Sequence, residues 1–380
     1  MTGAGGAGWL RGWAATRAGL LLVGLLASRL LVSGLTMQKG NLVYHPQGPA
    51  VLDVWARWDS EWYLLIAEHG YHSEEYFLGR PVAYEAAATT GFFPLYPLLI
   101  RAGAACGLSF LAAGVLISNL ALLAALWFLR ELVRRDLGDP VAQSSLWVLL
   151  AFPTSFFLSA VYAESLLLAG VLGSLWAARA GRPWLAGLLG AVATLARPTG
   201  ILVLLPLADE ALNSPPPAKG GRFSSGVSLL LPPAALGGFM LFCRASFGSY
   251  APFLERQERW RGALGGPWRA FARYLEAPHL HDAHHSTIDL ICALLLVGSI
   301  PWLFRHLPRS YALYATAAIL LPLGSTLWSF SRFAATIFPC HVLLGRLISR
   351  RPAWGDLYTG LALPLSGLFM ALYAGWWWVG

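Results

Sequence analysis

The chain has 380 residues, 57% of them hydrophobic and only 12% charged, with a mean hydropathy of +0.57 and a formal net charge of +8. A soluble domain carries about a quarter charged residues and lacks the interior to hide so much apolar surface, whereas a bilayer can solvate it. The composition therefore excludes a soluble enzyme.

Apolar runs long enough for a ~30 Å hydrocarbon core, roughly 17 to 25 residues, fall at 14–36, 111–134, 144–162, 164–180, 227–244, 286–304, 310–328, 333–348 and 356–379. Two shorter runs, 184–195 and 200–212, are interrupted at Arg197-Pro198 and read as a pair of half-length helices. The expected fold is an all-α polytopic bundle of about ten or eleven transmembrane helices forming a single domain over 1–380. The first run is long, contains Arg29 and has no small-residue cleavage pattern behind it, so it reads as a signal anchor.

Arginine placement sets the expected orientation. With Arg11 and Arg17 in the cytoplasm and the spans alternating, fourteen of the 27 basic residues but six of the 19 acids fall at cytoplasmic ends. The surplus of positive charge is then a topology signal facing anionic headgroups, and nucleic acid is not an expected partner. The Pro/Gly/Ser-rich stretch within 208–225 reads as a cytoplasmic loop. Cys106, Cys243, Cys292 and Cys340 lie apart in apolar segments and read as core cysteines. No period of 20 to 50 residues recurs.

The outer side receives two long segments, about 37–110 and 245–285. In the first, Arg57-Trp58-Asp59-Ser60-Glu61-Trp62-Tyr63 is followed by Glu68, His69, Tyr71, Glu74 and Glu75. Residues 54–68 contain no Gly or Pro and space Trp55, Trp58, Trp62, Leu65 and Ile66 near the helical period, which predicts an amphipathic helix in the headgroup plane. Phe92, Phe93 and Tyr96 follow, and Pro94 and Pro97 predict a short tucked helix over 92–106. The second segment holds Glu255, Arg256, Glu258, Arg259, Trp260, Arg261 and His279, His281, His284 and His285. Between them, Tyr162 and Glu164, then Arg197, then Arg332 reach the same side at the ends of spans.

Each of these groups has a plain reading beside a functional one. Asp59 either orients the interfacial helix by pairing with Arg57 or accepts a proton in a reaction. Arg197 and Arg332 are either snorkelling anchors or contacts for an anionic headgroup. Phe92, Phe93 and Tyr96 belong either to an interfacial aromatic belt or to the wall of a lipid-tail groove. The histidine spacing matches no standard zinc pattern and reads as a solvated loop.

In order along the chain, Trp58-Asp59 with Ile66-Ala67-Glu68-His69-Gly70-Tyr71, Phe92-Phe93-Pro94-Leu95-Tyr96-Pro97, Phe152-Pro153-Thr154-Ser155 through Tyr162-Ala163-Glu164-Ser165, Arg197-Pro198-Thr199-Gly200 and Ser331-Arg332-Phe333 resemble the luminal signature of the PIG-V family. That family is the second mannosyltransferase of GPI-anchor synthesis with its bacterial relatives, and it is similar to the GT-C glycosyltransferases. The resemblance spans roughly residues 15 to 345, while the compact length and Arg/Ala/Gly-rich composition point to a bacterium of high genomic GC.

The resemblance implies a mannosyltransferase that moves a sugar, with inversion, from a polyprenyl-phosphate donor to a lipid or glycan hydroxyl on the outer face. The membrane would be the bacterial plasma membrane, or that of the endoplasmic reticulum in a eukaryote. The acceptor and the oligomeric state stay open. It implies Asp59 as general base. Arg57, Arg197 and Arg332 become phosphate contacts, with Arg256 in reserve. Trp58, Trp62, Glu68, His69, Tyr71, Glu74, Glu75, Tyr162 and Glu164 become substrate-binding candidates, and Phe92, Phe93 and Tyr96 the lipid groove. Neither a cofactor nor a metal is expected, because arginine can stabilise a departing monophosphate. The competing class is a transporter or flippase of a lipid-linked sugar, which calls for paired halves and ionisable groups near the midplane.

Overall fold

The computed structural model describes residues 8–31, 48–71, 86–213, 221–280 and 285–379. Their helices are α1 (Gly8–Leu30), α2 (Ala50–Asp53), α3 (Asp59–His69), α4 (Leu95–Ala105), α5 (Phe110–Leu137), α6 (Asp139–Ala151), α7 (Glu164–Arg179), α8 (Pro183–Ala196) and α9 (Leu204–Asn213). The second half adds α10 (Gly221–Ser228), α11 (Leu231–Phe247), α12 (Pro252–Arg261), α13 (Arg269–Glu276), α14 (Thr287–His306), α15 (Arg309–Leu323), α16 (Phe330–Ala334), α17 (Phe338–Arg350) and α18 (Pro352–Ala374). Among the described residues there is no strand, only an isolated bridge between His279 and Ser286.

Among the described residues five stretches are long and apolar enough to cross a bilayer: α1, α5, α10 with α11, α14 and α18. The chain is an all-α polytopic membrane protein. Shorter helices fill the space between the long ones, and several expected spans are broken.

Local sequence sets the boundaries. Ser109 caps α5 by accepting the Ala112 N–H at 3.1 Å, Arg134 and Arg135 occupy its last turn, and Gly138 stops it at φ 89°. Close helix contacts depend on missing side chains: a Cβ on Gly170 of α7 would sit 2.7 Å from the Ala193 nitrogen of α8, and one on Gly345 of α17 would sit 2.5 Å from the Ser145 hydroxyl of α6.

The expected span at 144–162 stops at Ala151, because Pro153 forces Phe152 out of the helical region and removes a donor. The irregular stretch that follows is buried in protein, the condition under which non-helical backbone is tolerated at membrane depth. Arg17 supplies the missing donors, reaching the carbonyls of Ser155 at 2.8 Å and Leu150 at 3.0 Å. Arg17, counted above among the cytoplasmic basic residues, is thus a buried donor to the carbonyls of a broken helix. The break at Arg197 is as expected, with a 3₁₀ turn at Pro198–Val203 between α8 and α9. The 310–328 run ends as helix at Leu323, just after Pro322. The run near 333–348 divides into α16 and α17, and the last one ends at Ala374 with the tail turning at Trp376, φ 65°.

Two further expectations change. Residues 54–58 form a turn, and α3, which starts at Asp59, is buried over Ser60–Ala67 on all faces. Packing against α4, α5 and the irregular 152–163 stretch replaces the headgroup plane as its environment. Cys106 is exposed just after α4, so only the other three cysteines are buried or half-buried. The tucked helix does form as α4, antiparallel to α5, with Gly103 beside Ala113 and the Tyr96 hydroxyl 2.6 Å from that of Ser118. That register places Tyr96 roughly 12 Å below the start of α5, at 1.5 Å rise per residue.

Candidate active site

At that depth the chain assembles four charged groups from four elements. Asp59 opens α3, Glu164 opens α7, Arg197 ends α8 and Arg332 lies on α16. The Arg332 Nη1 donates to Asp59 Oδ2 at 2.7 Å, and its Nε lies 3.4 Å from Glu164 Oε1. Arg197 Nη1 donates to the same Glu164 oxygen. Glu164 is fully buried, and its second oxygen, Oε2, has no hydrogen-bond partner among the described residues. Asp59 is the accessible member, its side chain 29% exposed against 5% for Arg332.

Aromatic rings surround this network. The Arg332 guanidinium lies over Phe157, Tyr162, Phe333 and Trp378, all within 5.6 Å of a ring centroid. Tyr162 donates its hydroxyl to the Arg57 carbonyl at 3.0 Å and accepts the Asp59 N–H at 3.2 Å, which fixes the first turn of α3. On the other side, Thr154 donates to the Ser331 carbonyl at 2.8 Å and Asp289 accepts the Ser331 N–H at 2.7 Å, which holds α16.

Left-handed backbone at non-glycine residues gathers here. Among the described residues, the non-glycines with positive φ are Trp58, Ser329 and Trp376, at 59°, 64° and 65°. Trp58 leads into Asp59, Ser329 leads into the helix of Arg332, and Trp376 packs edge-on to Trp58 at 6.1 Å. Such outliers cost energy and persist where surrounding packing over-determines them, often at functional sites.

The expected site residues divide. Asp59, Tyr162, Glu164, Arg197 and Arg332 converge. Trp58 borders them, 5.4 Å from Trp378, and Trp62 stacks on Phe92 at 5.5 Å one turn further along α3. Arg57 points away: it pairs with Asp53 at 2.8 Å, donates to the Ala374 carbonyl at 3.1 Å and lies 4.9 Å over Trp376. It tethers the first segment to the end of α18, and the plain pairing of Asp59 with Arg57 is not formed. Glu68 and His69 sit near each other, 3.9 Å apart, at the far end of α3, roughly 14 Å from Asp59 by helical rise. Tyr71 donates to the Phe92 carbonyl at 2.7 Å, a loop contact. Glu74, Glu75, His281 and His284 lie outside the described residues. Phe92, Phe93 and Tyr96 are buried against protein, Phe93 between Phe239 and Phe253, and Tyr96 donating to the Gly114 carbonyl at 2.9 Å. Arg256 lies 4.5 Å over Trp260, which in turn meets Phe92. Among the described residues no three His, Cys, Asp or Glu side chains gather as metal ligands.

Two contributors escaped the sequence. The terminal Trp376 and Trp378 look like the end of a span, yet fold back over the site. Arg261 hides in a dense charged run, from which Arg256 is the more obvious choice. Its guanidinium lies 4.9 Å from the Phe333 centroid, where Arg197 and Arg332 also lie, at 5.1 Å and 5.3 Å.

Residues 48–210, which carry Asp59, Glu164 and Arg197, match the family model described as mannosyltransferase (PIG-V). GPI alpha-1,6-mannosyltransferase 2 of Homo sapiens is 32% identical over 158 residues, 39% of this chain and 29% of that protein. The Mus musculus protein is 33% identical over 159 residues, 39% of this chain and 30% of its own length. The chain thus spans under a third of the length of these curated relatives. Among solved structures, apo ArnT from Cupriavidus metallidurans superposes on 97% of this chain and 69% of its own with a TM-score of 0.54 at 17% identity. The same protein bound to undecaprenyl phosphate gives a TM-score of 0.53 at 15% identity, over 98% and 69% of the two chains. At that identity the likeness is one of fold. Residues 48–210 are thus similar to the PIG-V mannosyltransferase family, and the helical frame shares its fold with ArnT.

Proposed function

We propose that the protein transfers a hexose, mannose by its family resemblance, from a polyprenyl-phosphate sugar to an acceptor hydroxyl, with inversion at the anomeric carbon. The reaction takes place on the outer face of the membrane, at the end of the bundle where Asp59 and Arg332 meet. The observation that carries this reading is the part-exposed Asp59 carboxylate at 2.7 Å from a buried guanidinium, within a family-matched segment. The ArnT fold, solved elsewhere with undecaprenyl phosphate, supports a donor of that lipid class.

In this mechanism the acceptor oxygen attacks the anomeric carbon as the bond from that carbon to the phosphate oxygen breaks. The hydroxyl proton passes to an Asp59 oxygen, and the polyprenyl monophosphate leaves with the bonding pair. The incoming phosphate competes for Arg332, so substrate binding itself releases Asp59 for proton transfer. Glu164 keeps Arg332 and Arg197 from following the phosphate away, and the guanidiniums meet the charge that develops on it.

The test is incubation of the purified protein in lipid nanodiscs with polyprenyl-phosphate mannose and a panel of lipid and glycan acceptors. New mannoside and free polyprenyl monophosphate should appear together. Movement of intact donor across vesicles without cleavage would instead identify a flippase.

A further inference from the structure

We propose that Arg261 is the primary receptor for the phosphate of the lipid-borne donor, a role that rests on the glycosyltransferase reading above. Three guanidiniums, those of Arg197, Arg261 and Arg332, gather around the single ring of Phe333. Two carboxylates among the described residues, Asp59 and Glu164, are ion-paired with these guanidiniums, and both are taken by Arg332 and Arg197. Among the described residues Arg261 has no ion pair; its Nη1 donates to the Trp328 carbonyl at 2.9 Å and its face rests on Trp328 and Phe333. Asp289, the next acid in the neighbourhood, has its Oδ1 on the Ser331 N–H at 2.7 Å. The cluster thus gathers three guanidiniums on one ring, and Arg261 is the member held without an ion pair, with the Asp289 carboxylate acting on it only from beyond ion-pair distance.

Physical chemistry points the same way. Burial, and then the Arg332 and Arg197 guanidiniums, push the Arg261 pKa down to about 9. Arginine at that value is still charged at neutral pH, but its charge is poorly compensated, and an arriving anion would relieve it. A phosphate suits the gap because the guanidinium fork still has donors to offer it.

The surroundings indicate how the anion arrives. Around α12 the chain exposes Leu254, Leu264 and Trp268, at 58%, 68% and 71%, on a bundle that sits in lipid. A phosphate carried on a polyprenyl tail can keep the tail along this apolar surface and present its headgroup to Arg261. Glu164 then has a separate task, to hold the other two arginines while Arg261 takes the load.

The decisive variant is Arg261→Gln, which keeps an N–H for the Trp328 carbonyl and removes the charge; Arg261→Lys keeps the charge and loses the fork. Each is placed in nanodiscs with radiolabelled polyprenyl monophosphate for direct binding, with uncharged polyprenol and inorganic phosphate as competitors, and donor turnover is measured in parallel. Arg261→Gln should weaken polyprenyl-phosphate binding and raise the donor KM by about 10- to 100-fold while kcat falls much less, and Arg261→Lys should fall between. Polyprenol and inorganic phosphate should compete poorly. Unchanged binding and KM in Arg261→Gln would overturn the assignment, and equal competition by inorganic phosphate would overturn the lipid source. If the unaltered protein binds polyprenyl monophosphate through Arg261 yet transfers no sugar, the receptor stands and the glycosyltransferase reading fails. Should Arg261→Gln melt well below the unaltered protein, the Arg261→Lys binding ratio decides.

Discussion

Helix α7 carries an arginine–carboxylate network at each end, and the two differ in how fully their groups are satisfied. At its C-terminus Arg179 uses every nitrogen: Nε and Nη2 reach Glu210 at 2.9 Å and 2.8 Å, Nη2 also reaches the Ser310 hydroxyl at 3.0 Å, and Nη1 reaches Asp136. Tyr311 closes the circuit by donating to Asp136 at 2.8 Å and lying under the guanidinium at 4.9 Å. At its N-terminus, roughly 22 Å away by helical rise, Glu164 has an oxygen without a partner, Asp59 is part-exposed and Arg261 has no ion pair among the described residues. The C-terminal network is saturated and ties α5, α7, α9 and α15 together. The N-terminal one is unsaturated and bordered by strained backbone. A satisfied buried network rigidifies, whereas an unsatisfied one costs free energy that a ligand can recover.

The broadest way to break this contrast is topological, because the two ends are expected to face opposite sides of the membrane. In a Cys106→Ser background, Leu280→Cys should react with an impermeant thiol reagent in intact cells and Phe223→Cys should not; both positions are exposed, at 78% and 81%. The reverse pattern would put the unsaturated network in the cytoplasm and sink the proposed outer-face reaction.

Next in size is Asp59→Asn, which keeps shape and hydrogen bonding but not proton acceptance. Turnover should fall by about 10² to 10⁴-fold, with thermal stability near that of the unaltered protein. Glu164→Gln is the companion variant: a dead Glu164→Gln beside an active Asp59→Asn would mean that the base has been misassigned. Arg332→Ala should cost about 10² to 10³-fold in turnover, and Arg332→Lys less, because the charge survives and only the fork is lost.

At the saturated end the expected effect is on stability. Arg179→Ala leaves the half-buried Asp136 and Glu210 without their cation, at a cost of about 2 to 3 kcal/mol, below that of breaking a fully buried pair. Melting temperature should drop by several degrees, while kcat/KM per folded molecule stays within about twofold, since distant sites act independently. A selective loss of kcat with unchanged melting would mean that the two ends are coupled through α7. The smallest effect is expected from chelation. If guanidiniums meet the phosphate charge, transfer survives EDTA; loss with rescue by Mg²⁺ or Mn²⁺ would move Glu74 and Glu75 to the centre as ligands.

Much of this was legible from residues alone. The apolar runs, the break at Arg197-Pro198 and the short α4 follow from composition and proline, because those signals act within a few residues. Asp59, Glu164, Arg197 and Arg332 stand out because ionisable groups at membrane depth need a reason. Other features were hidden by the same local logic. Arg17 resembles a flanking anchor until the broken segment after Ala151 is folded against it. The Trp-spaced stretch around Asp59 resembles an interfacial helix because periodicity reports an apolar face without saying what covers it.

By itself the sequence determined the class of the protein, its helices and the charged residues worth watching, since each rests on hydrophobicity and backbone chemistry over short distances. Tertiary structure alone decided the pairings: Arg332 with Asp59 across 273 positions, Arg57 turned away to Asp53, and Arg261 left beside two other cations. Coulomb interactions depend on separation in space, and the chain brings these groups together only when α3, α7, α8, α12 and α16 pack.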